Sequence, residues 1–112
     1  MADPNFDSIA DSFEALKANF LPNMAQGVNK TIQLDFTGRE EGTWNMSVEN
    51  GAFSYGQGPA SSPSATVKVD SDNWLSILSG ALDPVSAFMG GKIQIAGDMG
   101  VMMQFQNWFK RP

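Results

Sequence analysis

The reading of the fold turns on one stretch: Asp72-Asn-Trp-Leu-Ser-Ile-Leu-Ser-Gly80, then Asp83-Pro-Val-Ser-Ala-Phe-Met-Gly90, then Gly91-Lys-Ile-Gln-Ile-Ala-Gly-Asp98 and Met99-Gly-Val-Met-Met-Gln-Phe105. Two short helices lead into a short strand, and a Gly-Asp step opens a last helix rich in methionine. Local chemistry sets the limits. Asp70 or Ser71 caps the first helix and Gly80 ends it; Asp83-Pro84 starts the second and Gly90-Gly91 ends it. Ile93 and Ile95 alternate as a strand, Gly97 allows a tight turn, and Asp98 caps the last helix. No side chain here is an obvious nucleophile or metal ligand, yet the apolar supply exceeds what one helix–sheet contact needs.

The last helix carries most of that excess. At ~100° per residue, Met99, Val101, Met102, Met103, Phe105, Trp108 and Phe109 cover an arc of roughly 220°, leaving Gly100, Gln104 and Asn107 as a narrow polar side. A helix resting on a sheet uses about half that width. The remainder faces another helix, a partner chain or an apolar ligand. Gln106 falls inside the arc, where it either reaches solvent near the helix end or hydrogen-bonds a ligand head group.

Upstream, Phe6, Ile9, Phe13, Leu16 and Phe20 form one helical stripe, with Asp3 to cap, Pro4 at the first turn and Pro22 as the stop. The opposite face lacks a basic stripe, so the stripe is read as packing on the rest of the domain. Period two follows. Ile32, Leu34 and Phe36 alternate with polar residues, as do Trp44, Met46 and Val48, and Asn50-Gly51 signals a hairpin to a strand with Phe53 and Tyr55. After the Gln57–Pro63 loop, Ala65, Val67 and Val69 give a fourth strand. The order is helix, four strands, two short helices, strand, helix, which is α+β with a five-stranded sheet covered on one face.

Composition narrows the chemistry. The chain has 112 residues, 42% hydrophobic and 17% charged, which suits a single globular domain spanning 1–112. It contains no cysteine and no histidine, so Ser-His-Asp and Cys-His sites and ordinary zinc sites cannot be built. The acidic residues are scattered: Glu40-Glu41 reads as a solvated turn, and Asp70 and Asp72 straddle a helix start. Gly56-Gln-Gly-Pro and Gly90-Gly-Lys-Ile match no phosphate-binding loop. A net charge of −5 speaks against nucleic acid as partner and gives no strong attraction to anionic membranes. Without a membrane span, a signal-like start or disulfides, the expected location is cytoplasmic. These residues predict no enzyme and no cofactor.

The phrase from Trp74 through Leu78, Phe88-Met89 and Gly91-Lys-Ile-Gln-Ile-Ala-Gly-Asp-Met-Gly100, with the helix–strand order before it, resembles the sterol carrier protein 2 family of lipid-binding domains. The resemblance implies a five-stranded mixed sheet with helices packed on one face, enclosing an apolar tunnel. It also implies non-covalent binding of a fatty acid, acyl-CoA, sterol or similar lipid, with no catalytic residues. The tunnel-lining positions it suggests are Phe88, Met89, Ile95, Met99, Met102, Met103 and Phe105. Methionines suit that role because they repack around ligands of varied shape. The Phe109-Lys-Arg-Pro112 ending is not a peroxisomal signal, and the family name does not make the ligand a sterol. The rival reading is an accessory module whose C-terminal apolar face meets a copy of itself or a partner enzyme.

Overall fold

Alternation of apolar and polar residues builds the sheet. In a computed structural model, which describes residues 8–98 and 100–110 and, of 102, 103 and 106, the backbone alone, the first strand β1 spans Lys30–Thr37. Ile32, Leu34 and Phe36 are buried on one face, while Thr31, Gln33 and Asp35 line the other. β2 (Gly42–Glu49) and β3 (Ala52–Gln57) continue antiparallel. Their turn places Asn50 at φ 53° and Gly51 at φ 74°, the two left-handed residues that an Asn-Gly hairpin requires. β4 (Ala65–Asp70) then crosses to lie parallel to β1, and β5 (Ile93–Gly97) pairs antiparallel with β4. The order is β3-β2-β1-β4-β5, a mixed sheet as the resemblance implied.

Helices cover the apolar face. α1 spans Ile9–Ala18, shorter than the stripe predicted. Its N-cap is Ser8, whose hydroxyl accepts the Asp11 N–H, and the Ile9 N–H donates to Glu40 Oε2 at 3.0 Å. Asp3, Pro4 and Phe6 lie outside the described residues. Glu40 is therefore not a solvated turn residue: its carboxylate satisfies one of the orphan donors of a helix start 31 residues away. The helix also stops before Phe20. There Leu21 N–H donates to Trp108 O and Lys110 N–H to Asn19 O, both at 2.7 Å, so Phe20 forms an extended bridge with Phe109. Pro22 opens a 3-10 turn, Pro22–Ala25, and does not end α1.

α2 (Ser71–Ser79) has Asp70 as its N-cap and ends at Gly80, whose φ of 88° only glycine adopts without strain. α3 (Pro84–Met89) has Asp83 accepting Ser86 N–H at 2.9 Å and proline in its first turn. Gly97 turns the chain from β5 at φ 93°, and a Cβ there would sit 2.7 Å from the Ser64 carbonyl oxygen. α4 spans only Gly100–Phe105, followed by a 3-10 turn, Gln106–Trp108. The continuous last helix expected through Phe109 is thus corrected. The backbone tightens after Phe105 because Trp108, Phe109 and Lys110 must reach extended partners in segment 19–21. Val101, Phe105, Trp108 and Phe109 are buried, and Gly100, Gln104 and Asn107 face outward. No described helix is long and apolar enough to cross a membrane.

Candidate functional site

The helical layer fills unevenly. Near the start of α1, Phe13 stacks on Trp44 and Tyr55 with centroids 5.1 Å away in each case, and Trp74 lies 5.8 Å off. The Trp74 indole N–H donates to Ser12 Oγ at 2.9 Å, and that hydroxyl donates to Ile9 O at 2.5 Å. Both polar groups are buried and satisfied, as a stable core requires. Tyr55 OH donates to Glu14 at the surface.

One helical turn further along, the packing opens. Leu16 of α1, Ile77 and Leu78 of α2, and Phe105 and Phe109 bound a cavity of about 190 Å³. Gly80, Leu82, Asp83 and Pro84 of the α2–α3 connection and Lys110 complete its described lining. The gap follows from how α2 ends. Ala81 and Leu82 N–H groups both return to Ser76 O, at 2.9 and 3.1 Å, which reverses the chain before another turn can pack. Opposite, Phe105 and Phe109 lie 5.0 Å apart, and Phe109 meets Phe53 edge-on at 5.2 Å, so aromatic contacts hold that wall. Among the described residues the lining is apolar except for Lys110 and Asp83. Asp83 has one carboxylate oxygen engaged by the Ser86 N–H, while the Lys110 ammonium has no carboxylate partner among the described residues. Such a space can hold an apolar body with one polar end.

The residues predicted from the sequence fall in several places. Phe105 lines the cavity. Ile95 is half-buried on β5, and Phe88 and Met89 point outward from α3, Met89 at 80% exposure; none of the three borders the cavity. Ala87 is the residue that α3 buries, which turns Phe88 and Met89 away from the sheet. Met99 lies outside the described residues, as do the side chains of Met102, Met103 and Gln106. Leu16, Ile77, Leu78, Leu82, Pro84, Phe109 and Lys110 line the cavity without having been expected among the tunnel positions, although Phe109 belongs to the apolar arc of the last helix. A signal existed for Ile77 and Leu78: two large apolar residues just past Trp74, on a helix too short to seal both.

Gly97 and Asp98 stand where the strand-to-helix step was read. Asp98 Oδ1 accepts the Gly100 N–H at 3.0 Å, and its Oδ2 pairs with the Lys30 ammonium at 2.9 Å. The Lys30 hydrogen bond and charge hold its carboxyl below the usual aspartate range, reinforced by Gly100 and Val101 N–H groups and opposed by partial desolvation.

Comparison with known proteins places this arrangement. Hydroxysteroid dehydrogenase-like protein 2 of Danio rerio is 27% identical over 99 residues, covering 88% of this chain and 24% of that protein. The chain thus spans about a quarter of that relative's length. The solution structure of palmitated SCP2L2 from Aedes aegypti superposes with a TM-score of 0.72 at 23% identity, covering 94% of this chain and 98% of that one. The stereoselective inverting sec-alkylsulfatase Pisa1 from Pseudomonas sp. superposes at 0.82 with 19% identity, over 91% of this chain and 16% of the sulfatase. The fold therefore occurs both alone and as a portion of larger chains. The family model for the SCP-2 sterol transfer family matches residues 11–110, and the chain belongs to that family.

Proposed function

We propose that this chain binds a lipid non-covalently, holding its apolar chain against Leu16, Ile77, Leu78, Leu82, Phe105 and Phe109. The observation that carries the reading is an apolar cavity in the helical layer whose described lining residues are charged only at Lys110 and Asp83. Each methylene buried contributes ~0.8 kcal/mol, so a modest length of acyl chain outweighs the cost of association. Such contacts are non-directional and read chain shape loosely.

Size limits the ligand. The space of about 190 Å³ is below the ~300–1,000 Å³ of ordinary small-molecule sites. It takes a short stretch of chain as it stands, and a longer one requires the half-buried Ile77, Leu78 and Leu82 to shift. Met99, Met102, Met103 and Gln106 remain proposed walls of the extended space. The polar end of the ligand rests near Lys110, whose ammonium favours an anionic head. Fluorescent fatty-acid titration of delipidated protein, with palmitate as competitor and native mass spectrometry beside it, is the test. Saturable one-site binding is expected; a folded protein that binds no acyl ligand ends this reading.

The rival, an accessory module within a larger assembly, draws on the Danio rerio relative, of which the matched region is only 24%. Size-exclusion chromatography of delipidated protein separates the two. A stable dimer that buries the segment after β5 favours the module.

A further inference from the structure

Beside the cavity lies a surface that ligand binding does not use. α3 buries Ala87 alone and turns Val85, Phe88 and Met89 outward at 38%, 37% and 80% exposure. Its lead-in residues Leu82, Asp83 and Pro84 are cavity lining, so the patch and the opening adjoin. From Pro84 to Gly97 the sequence carries one charge, Lys92, in a chain whose net charge is −5. The adjoining acid, Asp83, is tied into the start of α3 through the Ser86 N–H. The result is an apolar knob edged by serine, glycine and one lysine.

Area decides the occupant. A stable protein interface buries roughly 800 Å² on each partner, which three side chains on a six-residue helix do not supply. A bilayer makes no such demand, because shallow insertion of a few apolar groups is itself favourable and the lipid adapts to their shape. A lysine at the edge of the knob keeps its stem along the apolar surface and its ammonium among the head groups. We infer that α3 is a lipid-surface docking element: Val85, Phe88 and Met89 enter the acyl boundary of a bilayer, with Lys92 at head-group level. The overall acidic charge supplies no long-range attraction, so docking is driven by apolar burial and is insensitive to salt. It brings the cavity rim to the place where an apolar ligand leaves or joins the membrane. That consequence rests on the lipid-binding reading; docking itself does not, and is measured without ligand.

Flotation of the delipidated chain with phosphatidylcholine vesicles tests it. Wild-type protein is expected to float, equally at low and high salt. The Val85→Ser/Met89→Ser double variant should partition about ten-fold less or weaker still, from the apolar area lost. Met24→Ser is the control, because Met24 is 57% exposed but sits on the separate Pro22–Ala25 turn, and it should float like wild type. Thermal melts confirm that both variants are folded. The proposal is overturned if wild-type protein stays in solution, if the double variant floats unchanged, or if Met24→Ser loses as much. Self-association that the double variant abolishes, without flotation, would put a second copy on this face and overturn it equally. Fatty-acid titration in solution keeps the two ideas apart. Binding without flotation removes docking and leaves the cavity reading, and α3-dependent flotation without ligand binding does the reverse.

Discussion

Phe13 and Leu16 stand one turn apart on α1, yet they face environments of opposite character. Phe13 is enclosed by Phe36, Trp44, Tyr55 and Trp74 and has no exposed surface. Leu16 borders an opening of about 190 Å³. The cause lies across the contact, in α2. Trp74 fills its position and anchors its indole to Ser12, whereas Ile77 and Leu78 stay half-buried before the helix ends at Gly80. A large ring with a directed hydrogen bond makes one end of the layer rigid. Branched aliphatic side chains with nothing beyond them leave the other end adaptable. Tight packing and open space thereby fall on different turns of the same pair of helices.

The sharpest way to break that division is at its rigid end. Phe13→Ala removes a ring with four aromatic neighbours and should cost ~3–5 kcal/mol in denaturant unfolding. A loss comparable to that of an exposed residue would show that the aromatic cluster is not the stabilising half. Ser12→Ala strands the buried Trp74 N–H and should cost ~1–3 kcal/mol by the same measurement. At the adaptable end the opposite is expected. Leu78→Trp should fill the opening, weaken fatty-acid binding and shift stability by less than ~1 kcal/mol. If the site were ordinary core, overpacking would instead cost ~1–3 kcal/mol, which calorimetry of the delipidated variant resolves. Lys110→Gln should have a smaller effect. An exposed charge pair contributes ~0.2–1 kcal/mol, so affinity for dodecanoate should fall a few-fold, with dodecanol binding unchanged. An equal change for both ligands would remove the head-group role.

Asp98 is outside both regions and supplies a baseline. Its carboxyl titrates below the usual aspartate range in the folded chain, through Lys30 first. A lowered folded value means that its contribution is present above the unfolded value and lost as pH falls through the folded one. Asp98→Asn should therefore melt lower than wild type near neutral pH, and the difference should close in strong acid. A gap that persists unchanged in acid would mean that the carboxylate charge is not what stabilises this step.

Period-two alternation made the sheet legible. Ile32, Leu34 and Phe36, Val67 and Val69, and Ile93 are all buried on the face that their spacing selects, and Asn50-Gly51 names its own turn. Asp70, Gly80, Asp83 and Pro84 likewise mark α2 and α3 because caps are local chemistry. The termini of the outer helices were not legible. Phe20 continues a helical stripe in sequence, but the backbone on either side of it bonds to that flanking Phe109, 89 positions away, and no local signal reports such a pairing. The site suffered from the same limit. A helical wheel drawn through Phe109 assumes regular geometry that ends at Phe105, and it cannot place Leu16 or Ile77 across the gap. Phe88 and Met89 were expected as lining from the family resemblance alone; periodicity could not show that Ala87 is the residue α3 buries while these two face outward.

The bridge between Phe20 and Phe109 has a consequence for how the cavity can enlarge. Phe109 and Lys110 belong to a wall whose backbone is tied by two hydrogen bonds of 2.7 Å to residues 19 and 21, so that wall moves only with the end of α1. The opposite wall, Gly80 to Pro84, carries no strand pairing and begins at a left-handed glycine. One wall is thus bound to a distant segment, whereas the other, among the described residues, is held only by bonds within its own turn. Amide exchange should be slow at Leu21 and Lys110 and, under the proposed lipid binding, should change on adding fatty acid chiefly across residues 80–84; an equal change in both walls would show that the cavity enlarges from both sides.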